Sequence, residues 1–174
     1  QFEGAARSTF TLFGGDSARL PIAPYSLVTF SQDGDLIDWA AEALVVGSFT
    51  APGNSDVIAI GAKDLNKEWT QWLIPDLGSR RTPPQLLAMP ETPDILPIAP
   101  DGAGNRLSVA GAAADLDGDD FDEALWLMPR GPEGCALLIY DIDYGDPSAP
   151  RAVLKQQLDL DEPCATPELV ASDL

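Results

Sequence analysis

The sequence contains no histidine. Its absence removes the commonest general base and the commonest zinc ligand together. Neither a Ser-His-Asp nor a Cys-His catalytic arrangement can therefore be built from this chain alone. Cysteine is also scarce, and the two that exist, Cys135 and Cys164, have no CxxC spacing. They form either one disulfide, if the compartment is oxidising, or two buried thiols.

Basic residues are few. Ten Lys and Arg stand against 28 Asp and Glu, which gives a formal net charge of −18. A surface this negative repels phosphate backbones and anionic lipid, so we expect no nucleic-acid partner and no membrane surface. Apolar runs long enough to span a bilayer are absent as well, so we expect no membrane insertion. Cations, basic proteins and neutral glycans remain as partners.

Frequent proline and glycine residues, together with alternating apolar residues, predict an all-β fold. The 174 residues include 16 Pro and 15 Gly, which leaves little room for long helices. Period-two patterns rich in β-branched and aromatic residues predict strands. An Asp-Gly turn within residues 31–36 predicts a hairpin whose arms are residues 25–30 and 36–40. The strands are predicted at residues 8–14, 25–30, 43–49, 56–62, 69–75, 106–114, 123–129 and 135–143. Residues 76–100 are predicted to be a proline-rich surface connection, and residues 157–163 a half-buried edge strand with its charges outward.

A unit of strand, loop and acidic residue opening the next strand occurs twice. Phe49 precedes Asp56 by the same interval that separates Leu116 from Glu123, and the final residues LVASDL resemble the start of a third unit. A repeat of roughly 60 residues with three or four short strands has the size of a propeller blade. Because two blades cannot close a ring, we expect a fragment or a partial propeller. The first predicted division is a preceding blade or N-terminal β segment at residues 1–42. A first blade with its proline-rich connection follows at residues 43–104, a second blade at 105–165 and a truncated further blade at 166–174.

The densest acidic stretch is residues 115–123, DLDGDDFDE, which we term the acidic loop. Six of its nine residues are acidic, although apolar segments flank it on both sides. Carboxylates fall at Asp115, Asp117, Asp119 and Glu123, and Phe121 could contribute its backbone carbonyl. Alternate spacing turns such groups toward one centre, and Ca²⁺ needs six to eight oxygen ligands. The alternative is a solvated acidic turn without bound metal.

The pattern D-x-D-G-D-x-x-D/E before an apolar strand resembles the FG-GAP or VCBS repeat. An EF-hand fits less well, because it requires Gly where Asp120 stands and Glu where Trp126 stands. The resemblance implies a calcium-bearing β-propeller of the kind found in integrin α subunits and secreted bacterial proteins. It implies Ca²⁺ ligands at Asp115, Asp117, Asp119, Glu123 and the carbonyl of Phe121, with Glu123 departing from the more usual Asp. The matching positions of the first unit are Ser48, Thr50, Pro52, Asn54 and Asp56, and since only the last is a carboxylate we expect no calcium there.

The same resemblance implies an extracellular, cell-surface or periplasmic binding module rather than an enzyme. Its partner would be a protein, a glycan or the remaining blades of the propeller. Two alternatives are a non-catalytic part of a secreted polysaccharide-acting enzyme and a purely architectural subunit. The tryptophans at positions 39, 69, 72 and 126 could stack on sugars, although strand tryptophans more often pack in a core.

Overall fold

The computed structural model describes residues 9–14, 23–29, 31–32, 35–36, 40–62, 69–76, 85–87, 109–130, 134–161, 164 and 168–171. These residues contain strands and no helix, and every pairing is antiparallel. The predicted all-β class is therefore confirmed. The strands are β1 (Thr9–Gly14), β2 (Ala23–Thr29), β3 (Ser31–Gln32), β4 (Asp35–Leu36), β5 (Ala40–Gly47), β6 (Asp56–Ala62), β7 (Trp69–Ile74), β8 (Gln85–Leu87), β9 (Ala110–Ala114), β10 (Glu123–Arg130), β11 (Gly134–Asp143) and β12 (Arg151–Leu160).

Two four-stranded sheets form the main architecture. Sheet 1 has the order β5-β6-β7-β8, and sheet 2 has the order β9-β10-β11-β12. Each strand pairs with its neighbours in sequence, so each sheet is a simple meander of the kind that makes a propeller blade. Two smaller hairpins precede them, β1 with β2 and β3 with β4. The arrangement is consistent with part of a propeller.

The two sheets share one hydrophobic core. On sheet 1, the cross-strand partners Val45, Ile58 and Leu73 lie on one face and belong to this core. Sheet 2 contributes Trp126 and Tyr140, which are fully buried in the same cluster. Burial of large side chains of this kind stabilises each by roughly 1.5–3 kcal/mol relative to exposure in water. The sheets thus pack face to face, as successive blades do.

A glycine in β9 allows the first strands of the two sheets to approach closely. A Cβ added to Gly111 would lie 2.5 Å from Cζ3 of Trp126 and 2.7 Å from Cγ1 of Val45. A hydrogen bond between the sheets accompanies this packing, since Nε1 of Trp126 donates to Oε1 of Gln71 over 3.1 Å in a buried position. A buried indole N–H needs such an acceptor, so this pair favours one alignment of the two sheets.

Several strand predictions agree closely with the structure. The predicted strands at residues 56–62, 69–75, 123–129 and 135–143 correspond to β6, β7, β10 and β11 within one residue at each end. A hairpin is present at this place, but its arms are β3 and β4, with Gln32 opposite Asp35. The predicted first arm was wrong, because residues 25–29 belong to β2, which pairs with β1. The first strand of sheet 1 begins earlier than predicted, at Ala40, because its N-terminal residues pair with the end of β6.

Two predictions about the chain between and after these strands were wrong in part. The proline-rich residues 76–100 are not only a connection, because Gln85–Leu87 pairs with β7 as the fourth strand of sheet 1. The edge strand predicted at residues 157–163 begins at Arg151 and ends at Leu160. The part of β12 that was predicted, residues 157–160, is not half-buried, since Leu158 is 41% and Leu160 42% exposed beside the outward charges. Both errors concern pairing with a distant strand, which local sequence does not report.

The predicted division of the chain places sheet 1, apart from its first three residues, within residues 43–104 and sheet 2 within residues 105–165. The described part of residues 166–174, which is 168–171, contains no strand. The four boundaries themselves stay predictions.

Candidate metal centre

The acidic loop connects β9 to β10 at one end of sheet 2. The two strands pair up to the base of the loop, where Ala114 lies opposite Glu123. Residues 115–120 are exposed, whereas Glu123 is only 2% exposed. The loop therefore projects from the sheet with a buried carboxylate at its base.

Asp115 winds the loop around its own carboxylate. Oδ1 accepts backbone N–H groups from Gly118 at 2.7 Å and from Asp119 at 3.2 Å, and Oδ2 accepts the N–H of Asp120 at 3.0 Å. Gly118 and Asp120 adopt left-handed φ values of 78° and 71°. Asp and Gly are the residues that tolerate this conformation best, so the local sequence suits the tight loop.

Glu123 closes the base of the loop. Its Oε2 accepts the backbone N–H of Leu116 at 2.8 Å, while its Oε1 accepts a hydrogen bond from Nζ of Lys155 at 2.8 Å. A buried carboxylate needs such donors, because an unpaired buried charge is strongly unfavourable. Glu123 thereby ties the end of β9, the start of β10 and strand β12 together.

Three of the predicted ligands come together. One carboxylate oxygen from each of Asp115, Asp117 and Glu123 lies within 4.8 Å of the other two. Ca²⁺ bonds to oxygen at 2.3–2.6 Å, so ligands on opposite sides of one ion are separated by about 4.6–5.2 Å. The group could therefore hold a metal ion, and its all-oxygen character suits a hard divalent cation.

The other two predicted ligands have a different arrangement. Oδ1 of Asp119 accepts the backbone N–H of Phe121 at 2.9 Å, and Asp119 is not part of the three-carboxylate group. The hydrogen bond between the two residues is local and stabilises the turn. The ligand roles of Asp119 and of the Phe121 carbonyl stay predictions.

Lys155 supplies a positive charge that the sequence analysis missed. Its Nζ lies 2.7 Å from Oδ2 of Asp117, 2.8 Å from Oε1 of Glu123 and 3.8 Å from Oδ2 of Asp141. The hydrogen bonds that Lys155 donates to Asp117 and to Glu123 raise the pKa of its ammonium group above the usual range. The hydrogen bond from Lys155 in turn lowers the pKa of the Asp117 carboxyl. One signal was present in the sequence: Arg151 and Lys155 are the only basic residues after Arg130.

The corresponding loop of sheet 1, residues 48–55, has a network of hydrogen bonds. Asp56 is fully buried at the start of β6, and its two carboxylate oxygens accept the N–H groups of Thr50 and Asp76, each at 2.7 Å. Nδ2 of Asn54 donates to Oγ1 of Thr50 at 3.2 Å, and Oγ of Ser48 donates to the carbonyl of Asn54 at 3.0 Å. Eight residues separate the paired strands in both loops, residues 48–55 and 115–122, and a buried carboxylate opens the following strand in both, but the acidic loop carries far more negative charge.

The tryptophans in the described residues are packing residues. Trp69, Trp72 and Trp126 are at most 7% exposed. Trp69 faces the shared core, while Trp72 lies on the other face of sheet 1, as their three-residue separation predicts for a strand. These three therefore do not form an exposed sugar-stacking surface. Trp39 lies outside the described residues.

A disulfide joins Cys135 of β11 to Cys164, which decides between the two alternatives that the sequence left open. In the part of the chain that the structure describes, no helix is long and apolar enough to cross a membrane. Comparison with protein-family models, with curated proteins and with solved structures gives no match.

Proposed function

We propose that this chain is part of an FG-GAP/VCBS-type β-propeller in which Ca²⁺ bound by the acidic loop stabilises a blade. The observation that carries the proposal is the convergence of Asp115, Asp117 and Glu123 in the loop that joins the first two strands of a four-stranded antiparallel sheet. A bound ion would fix this loop between the first two strands of the blade. Its charge would offset the mutual repulsion of carboxylates held this close together.

Calcium is favoured over magnesium by the ligands available. Mg²⁺ demands octahedral geometry, retains several waters and usually takes only one or two carboxylates. Four of the six carboxylates of the acidic loop and one backbone carbonyl stand at the predicted ligand positions within nine residues. A carboxylate-rich loop of this kind suits the larger ion, which accepts six to eight oxygens.

We propose an extracellular, cell-surface or periplasmic location and a role in binding rather than catalysis. The disulfide supports an oxidising compartment. The absence of histidine and the assignment of the densest acidic cluster to metal binding argue against a catalytic role for this chain. The partner would be a protein, a glycan or further blades of the propeller, contacted through the loops at one end of the sheets.

The calcium site is tested by thermal unfolding and isothermal titration calorimetry. Calcium that binds only the folded chain should raise the melting temperature. At a calcium concentration a hundred times the Kd, the free energy of unfolding should increase by about 2.7 kcal/mol. Asp117→Asn should abolish this increase. Glu168→Gln is a matched control, because it removes one exposed negative charge outside the acidic loop.

The outcomes separate the proposal from the alternatives. A calcium-dependent shift that is lost in Asp117→Asn and kept in Glu168→Gln supports a specific site. Equal responses to magnesium, or equal losses in the two variants, would indicate general screening of negative charge instead. Asp119→Asn then tests the fourth carboxylate, whose loss should weaken calcium binding if it is a ligand.

The binding role is tested with glycan arrays and immobilised candidate proteins, in calcium and in EDTA. Retention of a glycan or protein without turnover supports a binding module. Product release from a polysaccharide would contradict it and favour an enzyme, while a stable complex with a partner chain and no small ligand would favour an architectural subunit.

A further inference from the structure

Lys155 is the extra residue of a β-bulge. In the pairing of β11 with β12, Tyr140 lies opposite Leu154 and Ile139 lies opposite Gln156. The register shifts between these pairs, so Lys155 has no Cα partner on β11. Bulges are found near functional sites, where they redirect a side chain out of the regular alternation of a strand.

The bulge brings an ammonium group to the acidic loop. Nζ of Lys155 is hydrogen bonded to Oδ2 of Asp117 at 2.7 Å and to Oε1 of Glu123 at 2.8 Å, and Asp141 completes the group from β11. The two close partners are also two of the three residues that could hold a metal ion. Lys155 therefore engages the carboxylates that a divalent cation would need.

Geometry makes the two occupants exclusive. A cation bound by these two residues would lie 2.3–2.6 Å from its ligand oxygens, close to the position where Nζ donates its hydrogen bonds. A divalent ion and an ammonium group bound to the same carboxylates repel each other strongly. A protonated lysine also has no lone pair with which to serve as a metal ligand. The long, flexible lysine stem allows the ammonium to leave for solvent.

We propose that the ammonium group of Lys155 competes with calcium for this cation site. Lys155 pairs with the carboxylates of the acidic loop when calcium is scarce, and calcium must displace it in order to bind. This inference rests on the proposed calcium site. It implies that the site is set for a lower calcium affinity than its carboxylates alone would give. It also implies that calcium binding releases the Lys155 side chain of β12 from the acidic loop.

The test compares calcium affinity in the whole chain and in three variants by isothermal titration calorimetry. Lys155→Met should bind calcium between about threefold and about thirtyfold more tightly, which corresponds to the loss of two competing ion pairs, one exposed at Asp117 and one partly buried at Glu123. Lys155→Arg keeps the charge and should stay nearer to the original affinity. Arg151→Met removes a positive charge from the same strand, outside the three-carboxylate group, and controls for long-range electrostatics.

A second measurement uses the unmodified chain and does not depend on any variant. Lys63, Lys67 and Lys155 are its only lysines. Acetylation by a water-soluble ester, read by mass spectrometry, should be slow at Lys155 in EDTA and faster in calcium. The other two lysines serve as internal references.

Each outcome bears on a different claim. Equal calcium affinity in the original chain and Lys155→Met, or an equal gain in Arg151→Met, would overturn the competitor role and leave the calcium site standing. Binding by Lys155→Met alone would support competition but contradict calcium as the usual occupant. No binding by any chain would overturn the calcium site and this inference together.

Discussion

Ser48 and Asp122 exchange two hydrogen bonds between the loops of neighbouring sheets. The N–H of Ser48 donates to Oδ2 of Asp122 at 2.6 Å, and the N–H of Asp122 donates to the carbonyl of Ser48 at 3.1 Å. The residues are 74 positions apart in sequence. This reciprocal pair places the acidic loop beside residues 48–55, so the loops of the two sheets lie at the same end.

Asp122→Ala should therefore weaken the junction between the sheets. The N–H of Ser48 would lose its acceptor in a partly buried position, which we expect to cost about 1–3 kcal/mol of unfolding free energy. Asp122→Asn keeps a side-chain oxygen and should cost clearly less. Urea unfolding of both variants measures the difference, and similar stabilities would show that the hydrogen bond contributes little.

Asp122 also offers a way to separate structural from ionic effects. It lies in the acidic loop but is not one of the three clustered carboxylates. Calcium affinity in Asp122→Asn should therefore stay close to the original, whereas Asp117→Asn should lose it. Equal losses would mean that the loop attracts calcium only through its total charge.

The buried carboxylate of Asp56 is expected to matter for stability without any ion. It accepts two backbone N–H groups at 2.7 Å, one from its own loop and one from Asp76 after β7. Asp56→Ala would leave both donors without this acceptor, at an expected cost of about 3 kcal/mol or more, since hydrogen bonds to charged groups contribute about 1.5–3 kcal/mol each. The loss should be the same in calcium and in EDTA. A loss restored by calcium would contradict this assignment and place an ion in the first loop.

How much of this was predictable depends on the range of the interaction. Strands β6 and β10 could be located from local alternation and from the carboxylate that opens each of them. Asp115, Asp117 and Glu123 could be grouped because they lie within one short loop. Each of these features is encoded within about ten residues of sequence.

The features that were missed depend on distant register. Lys155 reaches Asp117 and Glu123 across 38 and 32 residues, from a bulge that shifts the pairing of β12. Single-residue register shifts move side chains to new positions, and no local pattern reports them. The pairing of Gln85–Leu87 with β7 is a similar case, because the surrounding prolines indicate a connection rather than a strand.

Backbone strain at Asp120 gives a prediction in the stabilising direction. Asp120 has φ of 71°, and Gly53 adopts nearly the same value, 76°, at the matching position of the first loop. Asp120→Gly should raise the unfolding free energy by up to about 1 kcal/mol, because an L side chain is disfavoured in this conformation. Gly53→Ala is the reverse test and should lower stability by a similar amount. No atom would lie within 4 Å of the added Cβ, so a loss there reports the backbone alone.

The turn before β12 predicts a specific pH dependence. Oδ1 of Asp146 accepts hydrogen bonds from Oγ of Ser148 at 2.7 Å and from its backbone N–H at 2.9 Å, and these bonds lower the pKa of the Asp146 carboxyl. Because the folded pKa is below that of the unfolded chain, the stabilisation is complete above the ordinary value of about 3.9 and is lost as the pH falls through the folded pKa. Ser148→Ala should raise the pKa toward the ordinary value, as measured by carboxyl ¹³C NMR titration. Ser148→Thr keeps the hydroxyl and should titrate like the original, and an unchanged pKa in Ser148→Ala would show that the side-chain bond has no part in the shift.

The disulfide between Cys135 and Cys164 predicts that the free energy of unfolding depends strongly on whether a reductant is present. It links residues 29 positions apart and fixes the segment after β12 to the start of β11, with both cysteines buried. A cross-link of this span restricts the unfolded chain, so its reduction should lower the unfolding free energy by about 3–4 kcal/mol in the chain-entropy model. Urea unfolding with and without a reductant measures the loss, and a Cys135→Ala/Cys164→Ala variant should match the reduced chain and be indifferent to the reductant. An oxidised chain no more stable than the reduced one would contradict this prediction. In that case the bond would contribute nothing to the stability of sheet 2.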